Sequence, residues 1–251
     1  MCGRYTAAKD FSELIKLVGV VMARVPVFAP RYNLAPTQLA PVIYHERHQP
    51  AVKLMRWGLI PFWAKDESVG NALVNARSET LATRTAFREA FKSRRCLIPA
   101  DSFFEWQERD GKRQPFRIMF QSGEPFCFAG LWDQWVRPPA RDHADSDLDE
   151  APPSETVYSF TIITQPANAA IQPLHDRMPV IITPQHYDWW LKTDDPRSEL
   201  HKSAMAFPES QPLKIYPVSP LVNSPKLDDP RCIEPVRIER DMFERQWWGN
   251  G

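Results

Sequence analysis

A chain of 251 residues with 43% apolar content can bury a sizeable core, and its 31 basic residues balance 31 acidic ones, so no bulk charge draws it to a polyanion. The four cysteines, Cys2, Cys96, Cys127 and Cys232, lie too far apart for metal or redox motifs, and six scattered histidines add no metal signature. No apolar run reaches the length of a bilayer span, and Arg4, Lys9 and Asp10 do not suit a secretory leader, so a reduced, cytoplasmic protein is expected.

The chain opens Met1-Cys2-Gly3-Arg4-Tyr5. Removal of Met1 leaves Cys2 with a free α-amine beside its own thiol, two nucleophiles on adjacent carbons. The thiol can attack an amide, or the amine can condense with an aldehyde and the sulfur close a thiazolidine ring. The plain alternative is a small apolar residue that opens a strand. Phe11, Leu14, Ile15 and Val18 follow at helical spacing. Val52 to Trp57 and Ala72 to Ala76 read as strands, and Phe87 with Phe91 as a second helix for which Thr85 is the expected N-cap.

Phe116 to Phe120 and Pro125 to Trp132 are again strand-like. From Arg141 to Glu155 six carboxylates face one arginine in a Pro-, Ala- and Ser-rich stretch, which predicts a disordered acidic insertion at about 138–155. The remaining body is therefore basic, with Arg77, Arg84, Arg88, Lys92, Arg94 and Arg95 crowded together. A polyanion-binding face and an ordinary solvated helix face both fit that cluster. Val157 to Thr164 and Met178 to Ile182 are strands, Thr183-Pro184 caps a helix through Trp190 and Leu191, and Lys214 to Val218 is a last strand. Strands outnumber helices without alternating with them, and 25 prolines stand against 9 glycines. The pattern predicts an α+β fold in one domain, with a mainly antiparallel, barrel-like sheet and a few flanking helices.

Three segments repeat one arrangement, a reactive or polar residue with an arginine two positions on: Cys2 with Arg4, Asn75 with Arg77, and His175 with Arg177. In extended chain such residues share a face. Convergence of the three would give a nucleophile under a rim of guanidiniums, whose planar forks match phosphate oxygens. Glu105, bracketed by Phe104 and Trp106, is a candidate proton-transfer carboxylate because loss of hydration raises its pKa; an outward-pointing Glu105 over an aromatic core is the competing reading.

Seven blocks in order resemble the SOS-response-associated peptidase family, the abasic-site-processing proteins. They are Met1-Cys2-Gly3-Arg4-Tyr5, Arg31-Tyr32-Asn33-Leu34-Ala35-Pro36-Thr37, Trp57-Gly58-Leu59-Ile60-Pro61, Asn75-Ala76-Arg77-Ser78-Glu79-Thr80, Cys96 to Asp101 running into Phe104-Glu105-Trp106, Phe128-Ala129-Gly130-Leu131-Trp132, and His175-Asp176-Arg177-Met178-Pro179. The resemblance implies that Cys2 is the nucleophile, that Glu105 and His175 handle protons, and that Asn75 lies beside the Cys2 amine. It places Arg4, Asn33, Trp63, Arg77 and Arg177 against DNA. The implied partner is single-stranded DNA carrying an abasic site, to which Cys2 joins as a thiazolidine; removal of Met1 by autoproteolysis and abasic-site lyase activity accompany that expectation. No cofactor, metal or membrane is implied, and a monomer is expected. Two rivals remain open: an amidohydrolase with an N-terminal nucleophile, since glutamine amidotransferases also begin Met-Cys-Gly, and a module that coats damaged single strands without chemistry.

Overall fold

The computed structural model describes residues 2–109, 111–138, 155–192, 205–207 and 211–238. Strand β1 (Tyr5–Ala7) leads into α1 (Ser12–Leu17), whose Leu14 and Ile15 are buried as their spacing requires. After β2 (Arg31–Leu34) comes a hairpin of β3 (Leu39–Glu46) and β4 (Gln49–Trp57), turned through Arg47 and His48 at φ 50° and 66°. The chain continues through β5 (Asn75–Arg77), α2 (Arg88–Ser93), β6 (Arg95–Ala100), β7 (Ser102–Arg109), β8 (Lys112–Phe120) and β9 (Phe126–Val136). It ends in β10 (Thr156–Pro166), β11 (Arg177–Pro179), β12 (Ile181–Ile182), α3 (Tyr187–Lys192) and β13 (Leu213–Pro217).

The strands form two sheets. β10 runs parallel to β4 and antiparallel to β9, while β4, β3, β6 and β9 pair in succession, so five strands close into a ring. Closure satisfies backbone groups that an open edge would expose. This is the α+β, barrel-like architecture expected from the excess of strands. The second sheet runs β13-β8-β7-β1-β2 and packs aromatic rings onto the barrel. Tyr5 lies 5.2 Å from Trp57 and 5.6 Å from Phe128, and Phe103 lies 6.0 Å from Phe128, each edge to face. Burial of each such ring contributes about 1.5–3 kcal/mol, and here it also fixes the start of the chain to the barrel.

Several expected elements differ in detail. Asp66 accepts from Ser68 N–H at 2.6 Å and caps a 3-10 turn over Glu67–Ala72, so the segment expected to be extended from Ala72 forms a strand from Asn75 onward. Met178 to Ile182 is two strands. β11 pairs with β10 and β12 with β9, and Val180 between them donates to Ile163 O and accepts from Ala129 N–H, both at 2.9 Å. Thr85 does not cap α2, whose N-cap is Phe87, because a turn from Thr80 to Phe87 precedes the helix. Thr183 does precede a helical segment with Pro184 in first position, but its hydroxyl pairs with His186 Nδ1 at 2.8 Å instead of a backbone N–H. The acidic insertion falls largely on 139–154, outside the described residues.

Two glycines of the recurrent blocks have clear reasons. Gly58 holds φ at +116°, and a Cβ there would stand 2.5 Å from Gly70 O. Gly130 faces the barrel interior, where a Cβ would lie 2.2 Å from Ile98 Cδ1, 2.8 Å from Thr161 O and 3.1 Å from Cys96 Sγ. Gly130→Ala should therefore overpack the barrel and lower the unfolding free energy by about 1–3 kcal/mol in urea denaturation. A variant as stable as the parent would mean that the barrel is looser than this packing.

Candidate active site

The aromatic anchor at Tyr5 determines where Cys2 goes. β1 pairs with β7 at Tyr5↔Phe103 and Thr6↔Ser102, and Phe104 N–H donates to Arg4 O at 3.0 Å, so residues 2–4 run alongside the Phe104–Glu105 end of β7. A buried polar network locks this register. Asp101, fully buried, accepts from the Thr6 hydroxyl, from Ala8 and Lys9 N–H at 2.6 and 3.0 Å, and from Arg117 at 3.2 Å, while Arg117 Nε reaches Ser102 Oγ at 2.7 Å. These donors offset part of the hydration that a buried carboxylate loses.

From the other side, β5 lies parallel to β10 and offers Asn75. Its Nδ2 donates to Cys2 O at 2.9 Å, and its Oδ1 is buried without a hydrogen-bond partner among the described residues. Beside Cys2 opens a cavity of about 450 Å³ lined by Gly3, Arg4, Glu105, Trp106, Arg113 and His175. Thus Asn75 contacts Cys2, and Glu105 and His175 share a cavity with its chain neighbours. The Cys2 thiol is wholly buried, and its pKa is raised far above the usual thiol range by desolvation, with the nearby Glu105 adding to the effect. Glu105 is 2% exposed, and burial pushes its carboxyl up to about 7. The inward reading of Glu105 holds, and the outward one does not. His175 is shifted the opposite way, below the ordinary imidazole value, again chiefly by burial.

The His175 ring has two contacts at one nitrogen. Nδ1 lies 2.9 Å from the Arg177 N–H and 2.7 Å from Asp176 Oδ1. They need different proton placements: a ring with bare Nδ1 accepts from the amide, and a ring carrying a proton on Nδ1, neutral or charged, donates to Asp176. The lowered pKa favours the neutral ring.

The three arginines stand in three environments. Arg77 is exposed, and with Asn75, Thr80, Thr83 and Arg84 it lines a second pocket of about 530 Å³. Arg4 is half-buried and donates through Nη1 to Asn33 Oδ1 at 2.8 Å and Val222 O at 2.7 Å, yet still lines the first cavity. Arg177 is buried and its fork is filled by Glu79, so the rim of three open guanidiniums is corrected: Arg177 is closed off in this structure. The basic cluster is likewise not one face. Arg94 pairs with the buried Asp133 at 3.2 Å, and Arg95 is buried against the carbonyls of Phe91, Lys92 and Trp190.

Asn33 is a second correction. Expected against DNA, it is fully buried, and besides its bond to Arg4 it donates to Ser224 O at 2.9 Å and Leu227 O at 2.6 Å. It ties Arg4 to the segment after β13. Trp63 is 49% exposed next to the exposed Phe62, on a loop braced by Phe62 N–H to Asp133 at 3.1 Å and Trp135 Nε1 to Ala64 O at 2.7 Å. Sequence reasoning missed Arg113 and Asn223 at the first cavity. Arg113 comes there through the β7–β8 register, opposite Glu108, and Asn223 through a bond from Trp106 Nε1 at 2.7 Å; neither carries a motif.

Replacing Asn33 strands one guanidinium N–H and two carbonyls. Asn33→Ala should cost about 2 kcal/mol of unfolding free energy in chemical denaturation. A variant of parental stability would return Asn33 to the list of possible ligand contacts.

The family described as SOS response associated peptidase matches residues 1–225. The "Abasic site processing protein YoqW" of Bacillus subtilis (strain 168) is 37% identical over 236 residues, covering 93% of this chain and 99% of its own. The "Abasic site processing protein HMCES" of Gallus gallus is 27% identical, covering 84% of this chain and 68% of its own. A solved protein from Bacteroides thetaiotaomicron shares the fold at a TM-score of 0.73 and 23% identity, with 94% of this chain and 100% of that one covered. A family match from Met1 past the cavity wall at Asn223 and a relative aligned over almost its whole length carry one conclusion: the chain belongs to the SOS response associated peptidase family.

Proposed function

We propose that the protein processes abasic sites in single-stranded DNA by joining them covalently to Cys2 once Met1 has been removed. The observation that carries this reading is the shared cavity of Glu105, its carboxyl pushed up to about 7 by burial, and His175, its imidazole lowered by burial, beside the buried Cys2. The names of the relatives, abasic site processing proteins, point to the same substrate.

An abasic sugar exchanges between a closed ring and an open aldehyde. The Cys2 amine adds to the aldehyde carbon, and the oxygen, protonated by Glu105, leaves as water to give an imine. The thiol then adds to the same carbon, its sulfur forming the new bond and its proton passing to nitrogen, and a thiazolidine closes. One water is released and no oxidant or reductant is consumed. A carboxyl with a pKa of about 7 is present in both forms at neutral pH, so Glu105 can give a proton in one step and take one in the next. His175, whose lowered pKa favours the neutral imidazole, acts on the ring oxygen of the closed sugar. The unused Oδ1 of Asn75 is the acceptor that would orient the Cys2 amine. Arg77 and Arg4 hold flanking phosphates, and Trp63 offers an exposed face for a base. In this reading the protein acts as a cytoplasmic monomer, removes its own Met1, and can cut the strand at the imine stage as a lyase.

The test is incubation with single-stranded DNA carrying an abasic site, followed by a denaturing gel. Cys2→Ala should lose the adduct, and so should a variant with one residue inserted before Cys2, although its thiol remains. The intact adduct should weigh the sum of DNA and Cys2-initiated chain less one water. An adduct undiminished by the insertion would replace the thiazolidine with simple thiol chemistry.

A further inference from the structure

The ion pair that closes Arg177 lies outside the chemistry above. Both oxygens of Glu79 face the fork of Arg177, through Nη1 and through Nη2 at 2.9 Å, and Nη2 also donates to Thr164 O at 2.7 Å. The Nε of Arg177 is buried and has no acceptor among the described residues. The two partners are unequal: the Arg177 side chain is 10% exposed and that of Glu79 is 48% exposed. The pair also joins the two halves of the site. Glu79 lies two residues after the exposed Arg77, and the Arg177 amide holds His175 Nδ1 at 2.9 Å.

We infer that Glu79 occupies the place of a DNA backbone phosphate in the free protein, and that Arg177 becomes a phosphate contact when the strand displaces this carboxylate. The inference rests on the reading that DNA is the substrate, and it adds how the strand is admitted. A carboxylate and a phosphodiester present the same pair of oxygens to a guanidinium fork. Arg177 is pinned by Thr164 and by its burial, whereas Glu79 can turn into water, so the exchange moves Glu79 and leaves Arg177 in place. The buried guanidinium is then never without an anion, and its idle Nε gains a possible acceptor. Acid does not open the pair under ordinary conditions, because the hydrogen bonds from Arg177 hold the Glu79 carboxyl down at about 2. A competing anion does. Each strand that binds must break this pair, so affinity for undamaged DNA is held down at a contact that binding of a lesion strand still uses.

The experiment measures binding of the full chain to an undamaged single-stranded oligonucleotide by fluorescence anisotropy across a salt series. Glu79→Gln, which leaves Arg177 open, should bind roughly fivefold more tightly at low salt and steepen the salt dependence by about one ion. Arg177→Ala should bind more weakly than wild type. Binding of folded Glu79→Gln that is equal to or weaker than wild type would overturn the exchange and make Glu79 a structural anchor; unchanged binding by Arg177→Ala would overturn it as well. A second measurement needs no variant: on adding the oligonucleotide to wild-type protein, the Glu79 carboxyl should titrate closer to an ordinary glutamate, and an identical titration in free and bound protein would overturn the proposal. These readouts use undamaged DNA, so failure of Cys2 to form an adduct leaves them standing, and their failure leaves the adduct standing.

Discussion

Taking the Cys2 thiol and the Glu105 carboxyl out of water together is the constraint on which the rest of the structure depends. Each resists ionisation because it is buried, and a charge on Glu105 further opposes a thiolate on Cys2. Such an arrangement does not assemble by itself. It is held by Tyr5 wedged against Trp57 and Phe128, by the Asp101–Thr6–Arg117 network, and by Asn75 on the Cys2 carbonyl. The barrel is the rigid body to which these fixings attach.

That burial has a cost whose sign follows from linkage. Glu105 titrates near 7 in the folded chain and at about 4.3 when unfolded, so between these values the native state binds more protons. Stability is therefore surrendered as pH rises through this window, and is least affected below it. A well-paired surface carboxylate does the reverse: Glu79, lowered by Arg177, contributes stability above the unfolded value and loses it as pH falls toward about 2. The site thus keeps one carboxyl ready to exchange protons and another committed to its charge.

Much of this was legible in the sequence, for reasons that differ by residue. Tyr5, Gly58 and Gly130 belong to blocks whose spacing reflects packing, and local pattern gave the strands at Val52, Phe116, Pro125, Val157 and Lys214. The shared face of residues two apart brought out Cys2–Arg4, Asn75–Arg77 and His175–Arg177 as segments that meet. What the pattern could not carry was which partner each arginine takes. Arg177 found Glu79, Arg4 found Asn33 and Val222, and Arg94 found Asp133, all pairings across long stretches of chain. The strands β1, β2, β3, β6 and β7 escaped for a related reason. Short or wholly buried segments such as Arg95–Ala100 lack the alternation that marks a half-exposed strand.

The account turns on the protonation of one carboxyl, which can be observed directly. Carbon-detected NMR of side-chain carboxyls, with Glu105 assigned by its absence in Glu105→Gln, follows that group across pH in the native protein. The account predicts a midpoint near 7, apart from the main group of glutamates. A midpoint in the ordinary carboxylate range near 4.3 would contradict it: Glu105 would then be fully charged at neutral pH, and the shared desolvation of Glu105 and Cys2 could not be what prepares the site for proton transfer.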